Sequence, residues 1–216
     1  MRGKSDIFHS QKYCFFKKKQ YFCDRNKTLH AMSNRKNGII RPDRHNMTEY
    51  RKVLEAVRDG ALIRLRNGLY ADPDAITGDI VDIEAIVPGG ILCLYSAWYH
   101  YNLTTQVPDA FYVAVSRSRK LRLPQFPDIR PVFQRDELLE IGKTVTEERG
   151  VRLLITDIER SVCDAVKYRN KTGPDVMAEI IDNYLKTPGR NLQRLTEYAV
   201  RLRVYNTLRQ ILLIKL

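Results

Sequence analysis

Residues 48–71 constrain this chain more than any other stretch: an amphipathic helix, TEYRKVLEAVRDG, runs into a short basic hairpin, ALIRLRNGLYA. Tyr50, Val53, Leu54 and Val57 recur at i, i+3, i+4 and i+7, which predicts one buried stripe with Arg51, Lys52, Glu55 and Arg58 outside it. Thr48 is the expected N-cap and Gly60 the helix stop. Period-two alternation then puts Ile63 and Leu65 on one side of a strand and Arg64 and Arg66 on the other. Asn67-Gly68 closes the hairpin, because both residue types tolerate positive φ. A longer helix followed by a basic hairpin is how a winged helix-turn-helix ends. A plain helix-hairpin with solvated arginines has the same pattern, so this segment alone leaves both readings open.

The residues before it extend the first reading. TLHAMSNRK, residues 28–36, predicts a short helix ended by Asn37-Gly38; Ile39 and Ile40 follow, and RPDRHN, residues 41–46, predicts a second short helix opened by Pro42. Charge points the same way. The formal net charge is +12, from 37 basic and 25 acidic residues. Residues 1–48 carry 12 Lys and Arg against 3 Asp, leaving 25 basic against 22 acidic in the other 168. Such asymmetry favours a polyanionic partner, nucleic acid before an anionic membrane surface. Residues 1–26, with QKYCFFKKKQYFC, have no consistent period and are expected to be a basic, disordered extension, with Met32 and Met47 as alternative starts.

After Tyr70, ADPDAITGD reads as a linker and a second domain begins near Ile80. Its expected elements are a helix over residues 80–87, a buried helix over 92–102, a strand AFYVAVS over 110–116 and, after a Pro-rich turn, a strand RPVFQ. The rest reads as helical. Thr156 and Glu159 form a capping box opening a helix lined by Ile158, Val162, Ala165 and Val166. Pro174 opens a second with Val176, Met177, Ile180, Ile181 and Tyr184 inward, and Pro188-Gly189 ends it. Leu192, Leu195, Ala199 and Leu202 line a third, and Tyr205, Leu208, Ile211 and Leu212 a fourth.

Several function classes find no support. Residues 85–108 form the longest run without a charged side chain, but Pro88-Gly89-Gly90 breaks it, and Ser96, Tyr99, His100, Tyr101, Asn102 and Thr104 would need partners inside lipid. No membrane partner is expected. Cys14, Cys23, Cys93 and Cys163 form no framework or CxxC pair, which fits a reducing cytoplasm. A P-loop and HExxH are missing, as is the Gly-Ser that a nucleotidyltransferase needs beside its paired aspartates. Asp79, Asp82 and Glu84 fit a solvated linker and helix face better than a metal site. Cys14, Cys23, His30 and His45 match no zinc spacing. Asp157, Glu159 and Asp164 are explained by capping and the helix dipole, with Arg160 and Asp164 an i, i+4 pair. Ser96 has no glycine elbow and is expected to open or pack its helix; His100 reads as a core histidine. No catalytic residue, metal or cofactor is therefore expected. A second basic cluster, Arg117, Arg119, Lys120 and Arg122, follows the strand that ends near Ser116. It is either a solvated loop or a second nucleic-acid surface, which Arg190, Arg194, Arg201, Arg203 and Arg209 can join.

From about Thr28 onward the landmarks resemble one family, the AbiE-type abortive-infection antitoxins of bacterial type IV toxin–antitoxin systems. The words that carry the resemblance are RDGALIRLRNGLYA, LYSAWYHYNL, FYVAVSRSR and TDIERSVCDAV. The matching positions are Gly60, Leu62, Arg64, Gly68 and Tyr70 in the hairpin, Ser96 and Ala97, then Thr156, Glu159, Arg160 and Asp164. No single word is specific; their order and spacing are what match. The resemblance implies an α+β chain, with an N-terminal winged helix-turn-helix over residues 27–72 and a mixed α/β antitoxin domain over 80–216 that ends in a helical, bundle-like segment. It implies a non-enzymatic autorepressor that binds inverted repeats in its own promoter, self-associates on that DNA, and antagonises a nucleotidyltransferase toxin without requiring a stable complex. On this reading Thr48, Arg51, Lys52 and Glu55 face the groove, and Arg64, Arg66 and Asn67 meet backbone phosphates. The alternative is an interaction protein that does not bind DNA and acts on the toxin or its RNA substrate through the C-terminal domain.

Overall fold

Two Asn-Gly pairs punctuate the N-terminal part of the computed structural model, which describes residues 35–77 and 80–215. Asn37 and Gly38, both with positive φ (50° and 73°), turn strand β1 (Arg35–Lys36) into β2 (Ile39–Ile40). This is a two-residue hairpin with both central residues left-handed, the chemistry Asn-Gly suits best. It is not the helix stop expected of it: Arg35 and Lys36, the end of the expected first helix, are strand. Residues 28–34 and the extension over 1–26 lie outside the described residues, as do Cys14, Cys23, His30 and Asp79.

The second short helix expected over 41–46 does not form either. Asp43 Oδ1 accepts from the His45 amide at 2.9 Å and the Asp43 carbonyl accepts from the Asn46 amide, so the segment closes as a local turn. Asn46, not Thr48, caps helix α1 (Met47–Arg58), its Oδ1 accepting from the Glu49 amide at 3.1 Å. Past the helix, Gly60 (φ 74°) lets the Ala61 amide return to the Ala56 carbonyl at 2.9 Å. The hairpin comes next as β3 (Ile63–Arg66) and β4 (Leu69–Ala71). Of Asn67-Gly68 only Gly68 takes a positive φ, and a bulge between Arg64 and Arg66 absorbs the register slip.

These four strands make one antiparallel sheet in the order β1-β2-β4-β3. Its two faces go different ways. Ile40, Leu62 and Tyr70 pack under Val53 and Ala56 of α1, whereas Ile39, Leu65, Leu69 and Ala71 join a core shared with the rest of the chain. The stripe of α1 is accordingly rotated from its expected position: Ala56 is buried and Leu54 is 39% exposed.

The segment expected as a linker carries a helical turn, α2 (Asp74–Thr77), whose Ile76 is buried in that shared core. Arg41 donates to the Ala85 carbonyl at 2.8 Å and Asn37 Nδ2 to Asp82 Oδ2 at 3.0 Å, tying the first sheet to residues 82–85. The helix expected over 80–87 is the short α3 (Ile83–Ile86), capped by Asp82. The expected helix over 92–102 divides into β5 (Ile91–Leu92) and α4 (Tyr95–His100).

A second sheet, in the order β7-β6-β5-β9-β8, is built from β5, β6 (Phe111–Ser116), β7 (Ile129–Gln134), β8 (Lys143–Glu148) and β9 (Val151–Thr156). β6 pairs with β7 in parallel, and so does β5 with β9. Both faces are covered. Leu92, Val113, Val115, Leu153 and Ile155 point to the core shared with the first sheet, and Ile91, Cys93, Ala114 and Leu154 point to a helical layer. That layer holds α6 (Ile158–Thr172), α7 (Pro174–Lys186), α8 (Leu192–Arg201) and α9 (Tyr205–Lys215), with the single turn α5 (Asp136–Leu139) between β7 and β8. Val162, Ala165, Val166, Ile180, Ile181, Tyr184, Leu195 and Ala199 fill it as expected. Leu192 and Tyr205, expected to line their helices, are instead exposed. The described chain is thus mixed α+β with two sheets.

Candidate nucleic-acid interface

Register along β3 decides where the basic side chains stand. Leu65 faces the shared core and Ile63 packs against it, so Arg64, across from Tyr70, emerges on the opposite face, the one on which α1 sits. The bulge breaks the alternation before Arg66, which stands across from Leu69 and is exposed at the end of the strand. Tyr70, directly across from Arg64 in the ladder, is where helix and hairpin meet. Its hydroxyl pKa is raised by burial and by a hydrogen bond with Tyr50 of α1, and lowered by the charge of Arg64. The Arg64 guanidinium also donates to Asn67 Oδ1, which fixes it at the hairpin tip.

With Val53 and Ala56 inward, the outer face of α1 presents Thr48, Arg51, Lys52, Glu55 and Arg58, all exposed. Arg64, Arg66 and Asn67 are exposed as well. Among the described residues Arg51, Lys52, Arg58 and Arg66 form no ion pair, so their charge is directed at solvent. One cation joins them that its position in the sequence does not mark. Arg44 lies against the hairpin tip, its guanidinium 3.6 Å from where a Gly68 Cβ would stand.

The second basic cluster is divided by the fold. Arg117, Lys120 and Arg122 are exposed beyond β6, whereas Arg119 is turned back and donates to the Pro88 carbonyl. Arg135 and Lys167, far away in sequence, come to the same end of the sheet as Arg117.

The words TDIER and CDAV form a buried network. The expected capping box is shifted by one residue. Asp157 is the N-cap of α6, accepting from the Arg160 amide at 2.8 Å, while Thr156 ends β9 and its hydroxyl meets Ser161 Oγ at 2.9 Å. Glu159 does not reach back to the cap. It turns to the Tyr184 hydroxyl, the Asn191 amide at 3.1 Å and Arg194 at 3.7 Å. Arg160, 1% exposed, donates to Asp164 Oδ1 (3.0 Å), Gln134 Oε1 (2.8 Å) and the Leu138 and Ile141 carbonyls. Burial raises the carboxyl pKa of both Asp157 and Asp164, with Arg160 opposing the shift at Asp164. These groups are engaged with one another and with backbone carbonyls, which is a way of locking α6 to the end of β7.

Among the described residues no three His, Cys, Asp or Glu side chains converge as a metal site, and no helix is long and apolar enough to cross a membrane. A cavity of about 270 Å³ is lined by Ser96, Tyr99, His100, Phe111 and Glu148, among others. His100 is half-buried there, with Nδ1 3.2 Å from Glu148, so it is not the core histidine expected. Ser96 Oγ accepts from the Tyr112 amide at 2.9 Å and thereby ties α4 to β6. Cys93 and Cys163 are buried thiols whose pKa burial pushes well up, so neither is a reactive thiolate. No protein-family profile matches the chain, and no curated protein matches it in sequence.

Proposed function

We propose that the chain is a DNA-binding autorepressor and a non-enzymatic antitoxin, with residues 27–72 forming a winged helix that reads its own promoter. One observation carries this: Arg64 of β3 stands on the face of the first sheet that α1 covers, and Arg51, Lys52 and Arg58 of the helix and Arg64 and Arg66 of the hairpin are all exposed to solvent. Helix residues in a groove with hairpin arginines on flanking phosphates is the division of labour a winged helix uses. Antagonism of a nucleotidyltransferase toxin rests on the resemblance of the sequence words, and belongs on this reading to the part built on the second sheet.

Binding of the full chain to a duplex carrying its promoter, measured by fluorescence anisotropy, tests the DNA half. If six to ten phosphates are contacted, affinity is expected to fall about 10³- to 10⁵-fold between 50 and 200 mM salt. Arg64→Ala/Arg66→Ala should weaken binding to every sequence, and Arg51→Ala/Lys52→Ala should relax the preference for the promoter. Salt-insensitive binding, or indifference to both pairs, overturns it. The reading frame beside the gene is expected to encode a nucleotidyltransferase, and growth rescue when the chain is co-expressed with it tests the other half; a neighbour of another kind, or no rescue, overturns that half.

A further inference from the structure

Three cations from separate elements meet at the carboxyl ends of the parallel strands β6 and β7. Arg117 is the first residue after β6 and Arg135 the first after β7. The Arg117 amide donates to the Gln134 carbonyl at 2.9 Å, so both arginines leave the sheet at the same end of the paired strands. From there the contacts run inward: Gln134 Oε1 accepts from Arg160, and Arg160 holds Asp164. Lys167 lies three residues beyond Asp164 and so on the same face of α6.

The local charge is unbalanced. The ammonium pKa of Lys167 is lowered, first by desolvation and then by Arg160, Arg117 and Arg135, with Asp164 opposing. Asp164 is already engaged by Arg160. Among the described residues Arg117, Arg135 and Lys167 have no carboxylate partner, whereas Arg130 pairs with Asp109 at 2.8 Å and Lys143 with Glu140 at 2.8 Å. Lys120 and Arg122, exposed in the segment after β6, continue the basic surface. Cations held near one another with no carboxylate ion-paired to them are stabilised when an anion arrives, and the guanidinium fork matches phosphate oxygens bidentately. The carboxyl end of parallel strands is also where open sheets present their ligands.

We propose that Arg117, Arg135 and Lys167, continued by Lys120 and Arg122, form a second surface for the phosphodiester backbone of a nucleic acid, separate from α1 and its hairpin. Several cations in a row suit a repeating anion better than a single carboxylate. The surface lies on the second sheet and stands or falls independently of the winged-helix reading.

The test uses the full chain, a labelled single-stranded RNA and a labelled duplex DNA of arbitrary sequence, with anisotropy measured over a salt series. Arg117→Glu/Arg135→Glu alters only exposed side chains. It is expected to weaken binding to at least one probe about tenfold or more and to reduce the slope of log affinity against log salt by about 2 for duplex or about 1.4 for single strand. The probe that responds identifies which nucleic acid the surface takes. Arg117→Gln/Arg135→Gln, a milder pair, should flatten the slope in the same direction if the reversal impairs folding. Unchanged affinity and slope for both probes in a folded variant overturns the proposal, as does loss of binding only to an acidic polypeptide. If Arg64→Ala/Arg66→Ala is silent while Arg117→Glu/Arg135→Glu is not, the hairpin reading fails and this one holds.

Discussion

Arg160 and Asp164, one turn apart on α6, are 1% and 0% exposed and are joined by an Nε–Oδ1 hydrogen bond of 3.0 Å. A pair this deep has lost its hydration, so its value lies in being complete. Asp164→Ala would leave a buried guanidinium with its main counter-charge gone and is expected to cost about 3–5 kcal/mol in urea unfolding. Replacing both partners, Arg160→Met with Asp164→Leu, should recover much of that loss. A cost below about 1 kcal/mol for Asp164→Ala would remove the network from the list of what holds α6 in place.

Gly38 and Gly60 share nearly the same φ, 73° and 74°, and differ in their surroundings. A Cβ at Gly60 meets nothing within 4 Å, while one at Gly38 would overlap the Cβ of Ala75. Gly60→Ala is therefore expected to cost only the left-handed strain, about 1–2 kcal/mol. Gly38→Ala adds a clash at the junction between the two sheets and should cost clearly more. Equal losses in thermal unfolding would mean that the approach of α2 to the first hairpin is not tight in solution.

Ile76 sits in the same core cluster as Leu65 of the first sheet and Ile155 of the second. Ile76→Ala is expected to destabilise by about 2–5 kcal/mol. Trp98, buried in the helical layer and bonded through Nε1 to the Ser161 carbonyl at 2.9 Å, reports on the far side of the second sheet. Its unfolding transition should shift with Ile76→Ala if the two parts unfold together; an unmoved Trp98 midpoint would show that they do not.

Asp157 has a raised carboxyl pKa, chiefly through desolvation. The folded state therefore keeps this proton to higher pH than the unfolded chain, whose aspartates titrate at about 3.9. The stability it contributes is full below that value and is lost as pH rises through the folded pKa. An asparagine at this position would still cap the helix without titrating. Asp157→Asn should thus gain stability relative to wild type as pH rises across that window; a constant difference in denaturation midpoint would contradict the assignment.

Much of the local structure is legible in the sequence. Pro174, Val176, Ile180, Ile181 and Tyr184 specify α7 and its inner side, and Ile63-Arg64-Leu65 alternates as a strand with Arg64 on the α1 face, although the bulge before Arg66 shows only in the pairing. Harder is any segment whose polar residues serve two local motifs equally well. Asn37-Gly38 suits a helix end or a hairpin turn, and Ile39 and Ile40 settle it only by pairing with Ala71 and Tyr70. The hairpin β8–β9 escapes a linear reading because Lys143–Glu148 is polar and half-exposed, an edge strand with one neighbour. Arg135 and Lys167 escape it for a different reason: nothing in a linear pattern says that two residues so far apart in the chain share a surface.

What the sequence determined by itself is what short-range forces decide: the helices of the last layer with most of their inner faces, the hairpin at Asn67-Gly68, and a charge balance that favours a polyanion. The tertiary structure decided the rest, because burial and pairing depend on residues distant in the chain. Leu92 meets Ile155, Arg160 is desolvated between α6 and the end of β7, and α2 packs into a core where a linker was expected. Helix periodicity repeats every few residues and leaves its mark in a window of that size. Desolvation of an ion pair has no such period, since it depends on how many other segments close over it.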